Sequence, residues 1–192
     1  MAISAPLRVE AATRATFGSI GVCAVTTVHH VYGAYIYNTP WRLHAALIST
    51  LATALIAVCL RLLRTQANNR IGAVASWTFM TVTFLVPFLG FGLFEGIYNH
   101  ALKIALHFGH ISPALMAHLF PPPTYEMPNN AFFEVTGVMQ VIPGFVAGYY
   151  LYRFLQIHKR EPKLATTPGY MPSESCSQPT LLSTIGIRNQ TR

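Results

Sequence analysis

Four stretches of this chain lack any Asp, Glu, Lys or Arg: 27 residues between Arg14 and Arg42, 18 between Arg42 and Arg61, 24 between Arg70 and Glu95, and 18 between Glu134 and Arg153. A helix crosses the hydrocarbon core of a bilayer in roughly 20 residues, so each stretch can hold one span. The spans read as about 15–37, 42–62, 72–97 and 131–155. Helix is the state that satisfies its own backbone in lipid, and no alternation of the barrel kind is present.

Composition agrees. Charged residues make up 10% of the 192, against roughly 25% in a soluble domain. That difference excludes a disordered chain or an ordinary water-soluble domain. The fold class that follows is all-α: a polytopic membrane protein built as a four-transmembrane-helix bundle. Its partner is the lipid bilayer, with room for a homo-oligomer or a membrane complex.

The net charge is +7, from 13 Lys and Arg against six Glu and no Asp. Nucleic-acid binding would need that charge gathered on one polar face, and no reading motif is present. Lys and Arg instead flank the apolar runs. Arg8 and Arg14 precede the first, Arg61, Arg64 and Arg70 separate the second from the third, and Arg153, Lys159, Arg160 and Lys163 follow the fourth. The positive-inside rule then predicts a multi-pass protein of the cell membrane with both termini in the cytoplasm. Residues 1–14 form the N-terminal cytoplasmic segment, 15–157 the transmembrane domain, 98–130 an outer loop and 158–192 a disordered cytoplasmic tail. The first apolar run is too long for a cleavable signal peptide and reads as an uncleaved span. Cys23 and Cys59 fall in apolar runs and read as small packing residues, without zinc or disulfide spacing.

Within the spans, prolines and glycines predict irregularity. Pro87, Gly90 and Gly92 predict a kink in the third span, and Pro143-Gly144 another in the fourth. Gly92/Gly96 and Gly144/Gly148 are small-xxx-small pairs, which let helices approach closely.

Chemistry collects at one end. With the topology laid down, seven of the eight histidines and Glu95, Glu126 and Glu134 all fall in the outer half or the outer loop. Ionisable groups in lipid are costly and ask for a reason. The candidate metal-ligating residues are His29, His30, His44 and His100, with Glu95 and Glu134 as candidate catalytic carboxylates and Tyr98 and Asn99 as pocket residues. Glu95, Tyr98 and Asn99 share a face of a regular helix, whereas His100 points elsewhere. Glu95 and His100 are wrongly spaced to share a metal on a straight helix, and His100, Lys103, His107 and His110 read as a solvated stripe. Asn129 or Asn130 is a candidate N-cap for the last span, with Glu134 in its first turns.

Three functional readings follow. Imidazole with carboxylate suits a transition metal, or protons and electrons, and paired histidines suit haem. Two glutamates in aromatic surroundings suit proton transfer on an apolar, lipid-like substrate, which would make the chain an enzyme. The stretches around Glu95-Gly96 and Glu134 resemble the paired acidic helices of EXPERA-type sterol isomerases, a resemblance confined to those two short stretches that implies the same carboxylate chemistry. The third reading is a non-enzymatic subunit of a membrane complex, with the polar groups at an interface. The spacings match no established ligand motif and do not choose among the three.

Overall fold

The computed structural model describes residues 4–67, 69–122 and 125–165, and every regular element among them is helical. Helix α1 spans Ser4–Ile36. After a single 3-10 turn at Pro40–Arg42, α2 spans Leu43–Thr65. Helix α3, Arg70–Thr83, runs without a break into a π-helix, Phe84–Leu102, and then into α4, Lys103–Phe108. The short α5 covers Pro113–Leu119, α6 covers Ala131–Met139 and α7 covers Val141–Ala165.

Three of these helical stretches are long and apolar enough to cross a membrane: Pro40–Thr65, Arg70–Phe108 and Ala131–Lys159. The rod that starts at α1 is as long but less apolar, because its buried side carries Thr16, Ser19, Thr26, His29 and His30. Helix α1 is the hub of the fold and packs against α2, the π-helix, α6 and α7. At the end opposite the histidines its small residues Ala11, Ala12 and Ala15 seat Ile56, Phe79 and Phe154 in a fully apolar core. The polar residues of α1 in the middle of the bundle meet their own backbone: the Thr16 hydroxyl donates to the Ala12 carbonyl and the Ser19 hydroxyl to that of Ala15.

The outside of the bundle is apolar. On α2, Leu43, Leu47, Leu51, Leu55 and Val58 form an exposed stripe, and Trp77 and Ile142 are exposed on their helices. A contiguous surface of this kind is suited to lipid and is disfavoured in water. Buried Cys23 and Cys59 are free thiols packed among the helices, as their sequence context predicts.

Several boundaries differ from the sequence expectation, for identifiable reasons. Helix α1 begins at Ser4 rather than near 15, because its charged first turns lie alongside α7, where the Arg14 guanidinium donates to the Tyr150 hydroxyl. The third helical rod continues to Phe108, and the stretch expected as a loop over 98–130 holds the end of that rod and α5. The fourth span is two helices that break at Gln140 instead of one kinked at Pro143. Proline is tolerated in a first turn, where its missing N–H has no partner to lose. Helix α7 runs to Ala165, so residues 158–165 are helical and not tail. The remainder of the expected tail, residues 166–192, lies outside the described residues, as do Pro123 and Thr124 of the proline run.

The small-xxx-small pairs are real contact points. A Cβ added at Gly144 would lie 2.6 Å from the Gly92 Cα, so the π-helix and α7 touch backbone to backbone there. Gly148 similarly admits the Phe88 ring, and Gly18 admits the α7 backbone at Ala147. In an uncrowded helix Gly→Ala stabilises by about 1 kcal/mol. Gly144→Ala should instead destabilise, by about 1–3 kcal/mol of overpacking. Thermal unfolding in detergent reads the sign directly, and a raised midpoint would mean that the helices do not meet at this point.

Candidate metal centre

Pro87 sets up the site. A proline inside a regular helix removes one rung of the i→i−4 ladder and crowds the carbonyl four residues back. Here the helix around Pro87 is widened to i→i+5 pairing from Phe84 to Leu102. At the α-helical step of roughly 100° per residue, positions five apart differ by about 140°. In a π-helix they come back to about the same face. Glu95 and His100 therefore share a face, with Glu95 Oε1 at 3.5 Å from His100 Nε2. This overturns the expectation that the two are wrongly spaced, and the physical cause is the change of helical pitch.

Helix α1 brings the other two histidines to the same oxygen. Glu95 Oε1 lies 3.7 Å from His29 Nε2 and 3.4 Å from His30 Nε2. Both imidazoles are buried and both approach Glu95, although the rings are set edge to face. The second Glu95 oxygen accepts from the Asn99 amide at 2.7 Å, which places Asn99 beside the cluster. Tyr98 is not. Its hydroxyl donates to the Leu119 carbonyl at 2.8 Å and anchors the outer segment, because the wider helix turns it away from Glu95.

Tautomers can be assigned from the surrounding hydrogen bonds. The Thr136 hydroxyl gives its proton to the Phe132 carbonyl at 2.8 Å, so it must accept from His29 Nδ1–H at 3.0 Å. His100 Nδ1–H likewise donates to Glu134 Oε2 at 2.7 Å. Where His29 and His100 are neutral with Nδ1 protonated, each Nε2 presents a lone pair toward the Glu95 carboxylate; a proton or a metal ion on these nitrogens turns that contact into an attraction. His29 Nε2 is buried with no hydrogen-bond partner. Lone pairs facing an anionic oxygen at 3.5–3.7 Å are mutually repulsive unless a cation lies between them. A tetrahedral ion with ligand bonds of about 2.1 Å separates its ligand atoms by roughly 3.4 Å. His29, Glu95 and His100 offer one ligand atom each, all within 4.8 Å of one another, and so form a group that could hold a metal ion.

Glu134 stands behind this group. Asn130 caps α6 by accepting from the Phe133 N–H, which fixes the first turn and aims Glu134 inward. One Glu134 oxygen orients His100 and the other receives Lys103 Nζ at 3.1 Å. Lys103 is 2% exposed, and Lys103 and His100 are buried instead of lying on a solvated stripe. The rest of that stripe conforms to expectation: His110 is exposed and His107 only partly covered. Gly137 makes room for His100, since a Cβ there would run into the imidazole ring.

A cavity of about 180 Å³ adjoins the cluster, bordered by His30, Arg42, Glu95, Asn99, Lys103 and Glu126 among others. Glu95 borders it and Glu134 does not, which separates the two carboxylates in role. His44 is at its rim, exposed and stacked on Trp41, with its Nδ1 turned to the Trp41 carbonyl and away from the other histidines. The outer segment covers the cavity: Lys103 Nζ donates to the Glu126 carbonyl at 2.7 Å and Arg42 faces the Glu126 carboxylate at 3.7 Å. Tyr125, in the same segment, has its phenol held above the usual tyrosine range chiefly by burial, so it stays protonated. His29 stacks on Phe133 at 4.0 Å, and its ring lies 4.6 Å from that of His100, edge to face.

Thr136, Lys103, Arg42 and Gly137 had not been recognised as site residues. Lys103 and Arg42 did carry a signal, as the two cations on the otherwise cation-poor outer side. Compared with known protein families, curated proteins and solved structures, the chain matches none.

The Lys103–Glu134 pair is buried on both sides, and breaking such a pair from one side costs about 3–5 kcal/mol. Lys103→Met should lower the unfolding midpoint accordingly. Lys103→Met with Glu134→Gln should recover part of that loss, because no unpaired charge is left behind. Equal midpoints for the parent and Lys103→Met would show that the pair is not formed.

Proposed function

We propose that this chain is a four-span integral protein of the cell membrane that holds a transition-metal ion near the outer ends of its helices, on His29, His100 and Glu95, with His30 beside them and one coordination position open. The observation that carries the reading is the Nε2 of His29, buried, without a hydrogen-bond partner and 3.7 Å from the Glu95 carboxylate. Glu134 supports it from behind, because an imidazole that ligates a metal commonly gives its other N–H to a carboxylate. An imidazole-rich donor set favours zinc, iron or copper over magnesium or calcium. The adjoining cavity supplies an approach for a small substrate, as catalytic sites require an accessible coordination position.

Helix α1 is the first of the four spans in this reading, since its charge-free stretch of 27 residues lies against all three of the more apolar rods. The flanking arginines and lysines put both termini in the cytoplasm and the metal on the far side. Proton transfer by a Glu95–Glu134 pair is less well supported, because Glu134 engages both oxygens with His100 and Lys103 and does not border the cavity.

Elemental analysis of protein purified in detergent tests the proposal. We expect about one zinc, iron or copper per chain, removable by chelator, with cobalt substitution giving ligand-field bands of a low-coordinate site. His29→Ala and His100→Ala should each abolish stoichiometric binding. Glu134→Gln should weaken it by about 10–100-fold while leaving the ligand set intact. A folded parent protein that takes up none of these ions overturns the reading.

A further inference from the structure

Three buried polar atoms without hydrogen-bond partners belong to residues that border the cavity beside the histidines: Arg42 Nη2, Asn99 Oδ1 and His30 Nδ1. Their residues are 5%, 8% and 7% exposed. Buried polar atoms in folded proteins are almost always satisfied, so three on residues of one cavity wall point to a polar partner taken up there, reached by small side-chain shifts because each atom is closed to solvent in this structure. The partner must accept from a guanidinium and donate to an amide oxygen.

Arg42 is held in place for this. Its Nε donates to the Thr39 hydroxyl at 2.8 Å, and its guanidinium lies over the rings of Tyr37, Trp41 and Phe133. The nearest carboxylate, Glu126, stands 3.7 Å from Nη2, too far for a hydrogen bond. Charge adds a second constraint. Arg42 and Lys103 stand against Glu95, Glu126 and the adjacent Glu134, which leaves one net negative charge around the cavity. A divalent ion on the histidines converts that to one net positive charge, which a monoanion cancels. Size adds a third. At roughly 30 Å³ per water the cavity holds about six waters, enough for a two- or three-carbon acid and too little for a lipid chain.

We propose, building on the metal reading above, that the cavity binds a short hydroxycarboxylate anion beside the ion. Its carboxylate lies on Arg42 and its hydroxyl donates to Asn99 Oδ1, within reach of His30 and the metal. Trp41, Phe94 and Phe133 also line the cavity and give it aromatic surface.

Glycolate is the probe. In titrations of the cobalt-loaded full chain in detergent, followed by calorimetry and by the cobalt spectrum, glycolate should bind saturably and shift the ligand-field bands. Acetate, which lacks the hydroxyl, should bind at least tenfold more weakly. Arg42→Gln should lose glycolate binding. Glu126→Gln should tighten it severalfold by removing the carboxylate that faces Arg42, a gain that a merely structural role for Glu126 would not produce. Cobalt uptake without saturable glycolate binding, or equal affinities for glycolate and acetate, overturns the ligand inference and leaves the metal reading standing. Failure of cobalt uptake itself overturns the metal reading and this inference with it.

Discussion

A carboxylate held among three imidazoles organises one end of this molecule. Removing an ionised carboxylate from water costs several kcal/mol unless cations or donors replace the water. Glu95 is 14% exposed at its side chain, and one oxygen has three ring nitrogens around it while the other has only Asn99. With their Nδ1 atoms engaged by Thr136 and Glu134, His29 and His100 turn their Nε2 atoms toward that oxygen. Such an arrangement is unfavourable by itself and becomes favourable around a cation. The surrounding structure strongly constrains it: Asn130 caps α6, Gly137 admits the His100 ring, and Lys103 neutralises Glu134.

The two ends of the bundle are therefore stabilised by different physics. At the end near Ala11 and Phe154 the contacts are apolar and closely packed. At the other end, α1, α6 and the π-helix are joined by charged and polar groups whose partners come from different helices. Helix α1 serves both, which explains its composition. Being central, it needs no lipid-facing stripe as wide as that of α2, and it can carry Thr26, His29 and His30 inward where Gln140, Thr136 and Glu95 meet them.

The change of helical pitch matters most for chemistry. Pro87 lies eight residues before Glu95, yet its effect persists along the widened helix to the site. Wide turns place Glu95, Asn99 and His100 together and send Tyr98 outward to Leu119. The same geometry lets Gly92 meet Gly144. A regular α-helix over the same residues would separate Glu95 from His100 and leave His29 facing a carboxylate with one imidazole fewer.

What the sequence determined alone is the part governed by period-independent quantities: charge-free length, the scarcity of charge and the gathering of His and Glu toward one end. Those properties depend on how many residues lie between charges and are insensitive to helical pitch. They made an all-helical, membrane-compatible fold legible, together with the membership of His29, His30, Glu95, Asn99, His100 and Glu134 in a polar end. Which of these share a face was decided only by the tertiary structure, because a shift from i→i+4 to i→i+5 pairing rotates every later side chain. The separation of Glu95 at the cavity from Glu134 behind His100, the exclusion of Tyr98 and the burial of Lys103 all follow from that rotation and from packing across α1 and α6. Neither can be read from spacing along one chain segment, since the partners lie more than a hundred residues apart, as His29 and Thr136 do.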